Sequence, residues 1–396
     1  MTFTKLSLAA IMALGFTSAA MADVDVQFGG QAVLYYQTIQ KDSADIDIFD
    51  KTGAKGNVGL QITSKADLGS GFTAGVTANV IGTAGLEGNL VNGVMQTASD
   101  TNGDLGGYWI PEAYVAKTAG NTTLKIGRQY LNTPLAFSEG WNVFKNSFEA
   151  AVLINKDIPD TVAVLAMVNK SNANGLGAVM DSFTPVNGAG GSDNAVYALG
   201  LLNNSIANLN VGLWGYNLTS LATAVWADLS YKVDGLGVPL TLAAQGASIN
   251  PSADGLDDTT MYGVKIATKV NGFALSAAYN DVDDGAVSVS NVGTGVKTKL
   301  FVQQILNQGS IKLDATTWQL KVVTPAFYGA KLIAQYAATD AGDKNLAGAN
   351  NDLNELDLIV KTKVLGTNVL LAYVNKSFDN DAGDMDLFRV VARYKF

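Results

Sequence analysis

The sequence contains no cysteine and no histidine. The absence of cysteine excludes a fold held together by disulfides, and it excludes catalysis by a thiol. Without either residue, the chain lacks the usual ligands of a zinc site and the imidazole base on which many hydrolases depend. No glycine-rich phosphate-binding motif follows a predicted strand and opens a helix. These absences remove most catalytic interpretations, and we predict that the protein is not an enzyme.

A long hydrophobic run is also missing beyond residue 22, where no stretch of 18 apolar residues occurs. This excludes a transmembrane helix in the rest of the chain. Residues 1–22 themselves contain a single basic residue, Lys5, then an apolar stretch and the small-residue ending "AMA". That arrangement is typical of a secretory signal peptide. We predict cleavage after Ala22 and a single domain over residues 23–396.

Charge is scarce, since Asp, Glu, Lys and Arg make up 15% of the chain and the formal net charge is −9. An acidic balance gives no footprint for nucleic acid, so no nucleic-acid partner is expected. Hydrophobic residues nevertheless reach 48%, and glycine occurs 42 times. An exported chain this apolar, without a spanning helix, is either a large buried β-structure or a protein that faces lipid through strands.

Hydrophobic residues recur at every second position in segment after segment. "FTAGVTANV" places Phe72, Val76 and Val80 on one face, and "YGVKIATKV" does the same with Tyr262 and Val264. Because successive strand residues point to opposite faces, each segment predicts a strand with one apolar face. The pattern predicts 18 antiparallel strands of roughly nine to thirteen residues, with 16 strands as the alternative. The expected strand starts are residues 24, 56, 72, 108, 122, 147, 160, 195, 208, 222, 238, 260, 273, 315, 329, 353, 368 and 385.

The connections between these strands alternate between short and long, apart from a short fifth loop near 217–221. Short turns at one end and long loops at the other are typical of a transmembrane up-and-down β-barrel, with the short turns on the periplasmic side. Aromatic residues crowd near both ends of the strands, as two interfacial belts require. The belt at the long-loop end is expected to contain Tyr36, Tyr108, Trp109, Trp214, Tyr262, Tyr279, Trp318, Tyr336, Tyr373 and Phe388. The sequence therefore predicts an all-β barrel that spans a membrane.

The last segment, "RVVARYKF", has an apolar face and a cationic face. Phe388, Tyr394 and Phe396 share one parity, and Arg389 and Arg393 share the other. We expect the aromatic face to meet lipid and the cationic face to meet a water-filled interior. An unpaired strand edge in hydrocarbon leaves backbone groups unsatisfied, at several kcal/mol per group. The last strand must therefore pair with the first.

The segments "ADLGSGFTAGVTANV", "EAYVAKTAGNTTLKIGRQYLNTP" and "ARYKF" resemble the porins of Gram-negative outer membranes. The chain is most similar to the major outer membrane protein type with 18 strands, and next to the general trimeric porins with 16. This resemblance implies a homotrimer in the cell outer membrane, in contact with lipid and lipopolysaccharide, that passes ions and small hydrophilic solutes by passive diffusion. It also implies that Phe388, Tyr394 and Phe396 form an assembly signal, read through strand pairing by the barrel-insertion machinery.

The third long loop, "LNTPLAFSEGWNVFKN", is the expected constriction of the pore. Other long loops are acidic, whereas this one carries large apolar side chains, and burying each of them gains about 1.5–3 kcal/mol. We therefore expect the loop to fold back onto the inner barrel wall. Glu139 and Asn142 would then project into the lumen beside Trp141. Packing of the loop against its neighbours at the rim is the alternative.

Charged residues of the inward parity are expected to line the pore and to set a field across it. The candidates are Asp228, Lys232, Lys265, Lys269, Lys321, Glu355, Asp357, Lys361, Arg389 and Arg393. Plain alternation puts Arg128 on the lipid face with Leu124 and Ile126. In the general porins that the chain resembles, however, the matching "GR" arginine lines the constriction. We expect a bulge at Gly127 to turn Arg128 into the lumen.

The sequence leaves the transported solute open. Cations on the wall favour anions and the acidic loops favour cations, and from the family resemblance we expect cations to be preferred. The loop at 281–314, with its apolar "FVQQIL", allows a plugged structural or adhesin barrel, and a substrate-specific channel is a further alternative. The acidic segment "DNDAGDMD" at 379–386 has oxygen ligands suited to Ca²⁺ but not the spacing of an EF-hand. We expect no metal site and no cofactor.

Overall fold

In the computed structural model the described residues are 25–99, 106–186, 195–381 and 383–396. The predicted signal peptide and its cleavage site lie outside them. The described chain forms an antiparallel sheet of 18 long strands, and each strand starts within two residues of its predicted position. In chain order the strands are β1 (Asp25–Gln40), β2 (Lys55–Gly69), β3 (Phe72–Gly82), β4 (Gly107–Ala119), β5 (Thr122–Gln129), β6 (Phe148–Asn155), β7 (Thr161–Asn172), β8 (Val196–Asn203), β9 (Leu209–Leu218), β10 (Ala222–Val233), β11 (Leu240–Pro251), β12 (Thr259–Val270), β13 (Phe273–Val282), β14 (Ala315–Val323), β15 (Lys331–Ala341), β16 (Leu353–Val364), β17 (Thr367–Phe378) and β18 (Met385–Lys395).

The sheet closes on itself into a barrel. Each strand pairs with its neighbours in the chain, and β18 pairs with β1 from Gln31 opposite Lys395 to Gln40 opposite Asp386. The last residue continues this ladder, because the amide of Gly30 donates to the carbonyl of Phe396 at 2.9 Å and the amide of Phe396 donates back at 3.2 Å. Closure satisfies the edge groups that hydrocarbon would leave unpaired. The predicted pairing of the last strand with the first is confirmed.

Side chains alternate between the outside and the inside of the barrel, apart from irregularities in the pairing of β2 with β3, β3 with β4 and β6 with β7. In β12, Tyr262, Val264 and Ile266 are 55%, 53% and 45% exposed, whereas Met261 is 4% exposed and points inward. Exposed large apolar residues of this kind recur on nearly every strand, and they form the surface that meets acyl chains. None of the helices in the described ranges is long or apolar enough to cross a membrane.

An aromatic belt surrounds the end of the barrel that carries the long loops. The outward rings of Tyr262 and Tyr279 lie 6.0 Å apart, and those of Trp318 and Tyr336 lie 5.4 Å apart. The inner ends carry exposed Phe72, Tyr231, Phe327, Tyr328, Tyr394 and Phe396. Two predicted members of the outer belt are wrong. Trp109 and Trp214 are 3% and 7% exposed, because both have the inward parity of their strands.

The short turns adopt conformations that hold adjacent strands close together. Between β12 and β13, Asn271 and Gly272 have φ values of 49° and 84°. Positive φ at both central residues is the geometry of a type I′ hairpin turn, for which Asn-Gly is the preferred pair. The long loops lie at the opposite end, and their described residues are 41–54, 83–99 and 106, 130–147, 173–186 and 195, 252–258, 283–314, 342–352, and 379–381 with 383–384; a short fifth loop lies at 219–221.

Gly30 provides a test of barrel closure. A Cβ atom at this position would lie 2.3 Å from the carbonyl oxygen of Gln61 and 2.8 Å from the ring of Phe396. We expect Gly30→Ala to displace the closing ladder and to lower the free energy of unfolding by about 1–3 kcal/mol. Gly215→Ala is the matched control, since a Cβ atom on that outward strand residue would meet nothing within 4 Å. The measurement is the midpoint temperature of unfolding in detergent, and equal midpoints for the two variants would contradict the account.

Candidate functional site

The third loop, residues 130–147, folds back into the barrel as the sequence predicts. Leu135, Val143 and Phe144 are fully buried. The ring of Phe144 packs edge-on against Trp109 of the inner wall, with ring centroids 5.8 Å apart. The same ring lies against Gly59 of β2, where a Cβ atom would be only 2.7 Å from it. The apolar side chains that are unfavourable in solvent therefore find their burial on the inner wall.

Side chains from the closing strands hold this loop in place. The Arg393 guanidinium donates from Nη1 to the carbonyl of Val143 at 2.7 Å and from Nη2 to the carbonyl of Asn142 at 2.6 Å. Tyr35 donates from its hydroxyl to the carbonyl of Trp141 at 3.2 Å. The second predicted arginine, Arg389, is buried and donates to Gln37 Oε1 at 3.0 and 2.7 Å. Both arginines face inward as predicted, but their donors bind protein acceptors.

The prediction that Glu139 and Asn142 project into the lumen is wrong. Glu139 is 3% exposed and accepts hydrogen bonds from Trp141 Nε1 at 2.9 Å, Asn291 Nδ2 at 2.8 Å and the amide of Lys297 at 3.1 Å. Asn142 is buried and donates to backbone carbonyls of two other loops. Trp141 is half-buried and packs against a buried apolar cluster formed by the inner wall and the second, third and fourth loops. Other loops cover both Glu139 and Asn142, so neither side chain faces water. Their hydrogen bonds instead link the third loop to those loops.

The loop that covers Glu139 is the seventh, residues 283–314, which also folds into the barrel. Leu300, Val302 and Ile311 are buried within it. Gln319 of β14 donates to the carbonyl of Val302 at 3.2 Å, so the loop lies against the far wall. The apolar stretch "FVQQIL" was the signal in the sequence, and it marks a segment that is buried inside the barrel.

Glu355 and Asp357 anchor the tip of this seventh loop. Glu355 Oε1 accepts from the amide of Leu306 at 2.8 Å, and Asp357 Oδ2 accepts from the amide of Ile305 at 3.3 Å and from Gln335 Nε2 at 2.5 Å. Both carboxylates have the predicted inward parity, but each is 0% exposed. The expectation that they line the aqueous pore is therefore wrong, because the loop tip lies over them.

The wall that these loops leave uncovered is cationic. Lys232, Lys265, Lys269, Lys321 and Lys361 point inward as predicted and are at least partly exposed. Strand register adds inward cations that the sequence interpretation passed over, although the same parity rule identifies them: Lys65, Lys125, Lys331, Lys363 and Lys395.

Few carboxylates accompany these cations. Asp228 is inward and half-buried, as predicted, with its carboxylate over Gly212. Glu112 accepts from Thr77 Oγ1 at 3.0 Å on the opposite wall. On the described strands the other inward acids are Asp25 and Asp67 at the periplasmic lip, and the covered pair Glu355 and Asp357.

Space remains between the loops and the wall, as two of the cavities lined by described residues show. One, of about 600 Å³, lies against β9 to β12 and is bordered by Pro134, Asp228, Lys265, Lys299 and Phe301. The other, of about 410 Å³, lies against β1, β2 and β18 and is bordered by Gln61, Tyr130, Lys145, Arg393 and Lys395. Each combines polar groups with one or more cations, which are the features of a sorting constriction.

A family model described as Gram-negative porin matches residues 7–322. The chain belongs to the Gram-negative porins. It is a channel of the outer membrane through which small solutes diffuse. A search of the curated proteins found no match.

Solved structures of other outer-membrane proteins have the same fold. The porin is similar to OccK8 (OprE) of Pseudomonas aeruginosa, with a TM-score of 0.76 and 12% identity over 94% of this chain and 98% of that one. It is similar to OpdK of the same organism, solved with vanillate, with a TM-score of 0.77 and 14% identity over 94% and 98% of the two chains. It is also similar to OccAB4 of Acinetobacter baumannii, with a TM-score of 0.75 and 13% identity over 94% of this chain and 98% of that one.

Arg128 of the porin does not turn into the lumen, and that prediction is wrong. Gly127 has a φ of 123°, yet the pairing of β5 with both neighbours passes through it without a register shift. Arg128 therefore keeps the outward parity of Ile126. Its Nη2 lies 3.0 Å from Glu149 Oε1, and its guanidinium lies 4.0 Å from the centroid of the Phe183 ring. The ion pair and the ring satisfy the charge at the outer end of the strand.

The anchors of the seventh loop can be tested by substitution. Hydrogen bonds to a charged group contribute about 1.5–3 kcal/mol, and leucine at Glu355 and Asp357 would remove both acceptors. We expect Glu355→Leu/Asp357→Leu to release the loop tip and to raise single-channel conductance in planar bilayers, with more current fluctuation. Glu355→Gln/Asp357→Asn keeps a carbonyl acceptor at each position and should resemble the parent channel. Unchanged conductance in the leucine variant would contradict the anchoring role.

Because Lys297 of the seventh loop is buried, we expect docking of that loop to depend on pH. Its Nζ donates to the carbonyls of Gln304 and Ile305 at 3.0 and 2.7 Å and to Gln308 Oε1 at 2.8 Å. Burial lowers its pKa to about 8, although nearby Glu355 opposes this shift. An exposed lysine titrates near 10.4, so the detached loop binds more protons than the docked loop between about pH 8 and 10.4.

We therefore expect docking of the seventh loop to strengthen as the pH rises from about 8 to about 10, and to be insensitive to this lysine below 8. The readout is the frequency of current fluctuations in the parent channel, compared with Lys297→Met at each pH. The difference between the two proteins isolates this residue from other titrating groups. Parallel profiles for the two proteins would contradict the assignment.

Proposed function

We propose that this porin prefers small organic anions over cations. The observation that carries the proposal is the fate of the acidic side chains inside the barrel. Glu139, Glu355 and Asp357 are all buried as anchors of the inward loops. The inward lysines of the strands remain at least partly exposed on the inner wall, together with Lys145 and Lys299 on the loops. The charge that a passing solute meets is therefore positive.

This proposal reverses the preference for cations expected from the sequence. That expectation rested on the family resemblance and on the acidic loops at the mouth of the pore. Charges on exposed loops are screened within about 8 Å at physiological ionic strength. Lysines on the wall of a narrow passage act on the solute at shorter range, and a low-dielectric wall concentrates their field. Wall charges should therefore outweigh loop charges in setting selectivity.

The width of the passage also supports a small solute. The third and seventh loops occupy much of the lumen, and the spaces beside them are about 600 and 410 Å³. These spaces also argue against the plugged structural barrel, the alternative that the seventh loop raised. OpdK, the similar barrel solved with vanillate, was crystallised with a small aromatic carboxylate. A solute of that chemical class has the size and charge that the lumen of this porin favours.

We also expect the chain to act without catalysis and without a cofactor. The absence of a Ca²⁺ site at the acidic segment 379–386 stays a prediction. Phe388, Tyr394 and Phe396 face outward on β18 and would serve as the assembly signal for the insertion machinery. A homotrimer remains the expectation from the family resemblance.

The reversal potential in a KCl gradient tests the proposed selectivity. We expect the zero-current potential to lie toward the equilibrium potential of Cl⁻. Lys265→Gln/Lys321→Gln/Lys361→Gln should move it toward that of K⁺, because these three ammonium groups lie on adjacent parts of the inner wall and Lys321 is close enough to feel both others. Lys117→Gln is the control, since Lys117 lies outside the barrel against the ring of Phe72. A parent potential near that of K⁺ would refute the proposal.

A further inference from the structure

The cavity of about 600 Å³ beside β9 to β12 is bordered by charges of both signs. Lys265 of β12 and Lys299 of the seventh loop supply ammonium groups, and Asp228 of β10 supplies a carboxylate. None of the three forms an ion pair with any residue in the described ranges. Lys299 Nζ donates to Asn132 Oδ1 at 2.8 Å, which uses one of the three donors of an ammonium group. Asp228 lies beside the Trp226 side chain, and a carboxylate has about four acceptor sites. Donors and an acceptor are therefore available to a solute in this cavity.

Aromatic side chains form the apolar part of the same cavity. Trp214 and Trp226 lie side by side on the inner wall, because they are directly opposite each other on β9 and β10. Gly200 of β8 makes room for the first of them, since a Cβ atom there would lie 2.4 Å from the Trp214 ring. The ring of Phe301, from the seventh loop, also borders the cavity, and its centroid lies 5.8 Å from Lys265 Nζ. A flat apolar group can therefore lie between the wall and the loop, with a cation at its edge.

The strand register separates the carboxylate from the cation of the wall. Asp228 is opposite Gln245 of β11, whereas Lys265 is opposite Ala243, the next inward residue of the same strand. Strand β11 therefore lies between them, and two strand spacings amount to about 10 Å at the backbone. Gly212 lets the Asp228 carboxylate lie against the wall, since a Cβ atom there would be 2.8 Å from Oδ2. A solute that contacts both groups must carry its anionic group and its hydrogen-bond donor at separate ends.

We propose that this cavity is a binding site for aromatic carboxylates that carry a hydroxyl group on the ring, such as 4-hydroxybenzoate. The solute carboxylate binds Lys265 and Lys299, the ring lies against Phe301, and the hydroxyl group donates to Asp228. The volume is within the range of about 300–1,000 Å³ that is usual for ligand pockets. A zwitterionic amino acid fits less well, because its ammonium and carboxylate groups are attached to the same carbon. This inference rests on the anion preference proposed above and adds a solute class to it.

Block of the KCl current through the porin in planar bilayers measures this site. The channel is titrated at neutral pH with 4-hydroxybenzoate, with benzoate, which lacks the hydroxyl group, and with the amino acid tyrosine. We expect saturable block by 4-hydroxybenzoate and about tenfold weaker block by benzoate, because benzoate makes no hydrogen bond to Asp228. Asp228→Ala should bring 4-hydroxybenzoate to the level of benzoate and leave block by benzoate unchanged.

A matched pair of lysine substitutions separates this site from a general attraction of anions. Lys265→Gln should weaken block by 4-hydroxybenzoate about tenfold, because it removes a charged donor from the site. Lys361→Gln also removes one inward ammonium group, but Lys361 does not border the cavity, so this variant should keep the affinity of the parent. Equal losses in the two variants would show a general field in place of a site and would overturn the inference.

The reversal potential in a KCl gradient, recorded for the same proteins, reports the anion preference independently of block. A parent channel that prefers Cl⁻ but shows no saturable block by 4-hydroxybenzoate would overturn the site and leave the proposed function standing. Equal block of the parent by benzoate and 4-hydroxybenzoate would remove the role of Asp228 and overturn the proposed solute class. Tighter block by tyrosine would overturn it in favour of an amino acid.

Discussion

Every feature of this porin follows from the need to satisfy backbone hydrogen bonds inside hydrocarbon. A sheet in lipid cannot have an edge, so the chain closes through β1 and β18, down to the pair formed by Gly30 and Phe396. Closure of antiparallel strands sets the alternation of faces, with apolar side chains outside and polar ones inside. The same geometry places both ends of the described barrel beside the short turns. The wet interior is thus a consequence of closure.

The same constraint acts again on the loops that enter the barrel. A loop inside a narrow lumen needs partners for its backbone amides and carbonyls, and here the strands supply them. Arg393 donates hydrogen bonds to carbonyls of the third loop, whereas Glu355 and Asp357 accept hydrogen bonds from amides of the seventh. The carboxylates that bind loop amides are covered by the loop and no longer face the pore. The loop carbonyls bind few of the many inward cations, so most of those cations stay on the pore surface. Selectivity is therefore set by the charges left over once the loops are held.

The fold could be predicted from the sequence because the patterns that indicate strands and turns are local. Period-two alternation and the turn residues lie within single segments, and the strand starts follow from them to within two residues. The inward folding of the third loop was also predictable, since its apolar content is visible in the sequence. Whether an individual side chain meets water could not be predicted from the sequence, because it depends on contacts with residues far away in the chain. Glu139 is covered by a loop some 150 residues later, with hydrogen-bond partners at Asn291 and Lys297.

Three residues were misplaced because a second cue was trusted over parity. Arg128 obeys plain alternation, and the bulge expected at Gly127 does not occur. Trp109 and Trp214 lie near strand ends, yet their parity directs them inward to pack against the loops. For Glu355 and Asp357 parity gave the correct face, but whether an inward residue meets water or a folded loop is a tertiary question.

Because the chain has no cysteine, β16 can be scanned with single cysteines without background. The reagent is a water-soluble, membrane-impermeant thiol probe applied to the channel in lipid. The account predicts rapid labelling at positions 361 and 363, protection at 355, 357 and 359 beneath the seventh loop, and protection at 358 and 360 in lipid. Labelling at 355 and 357 as fast as at 361 would contradict the covered inner wall, and labelling at 358 would contradict the barrel itself.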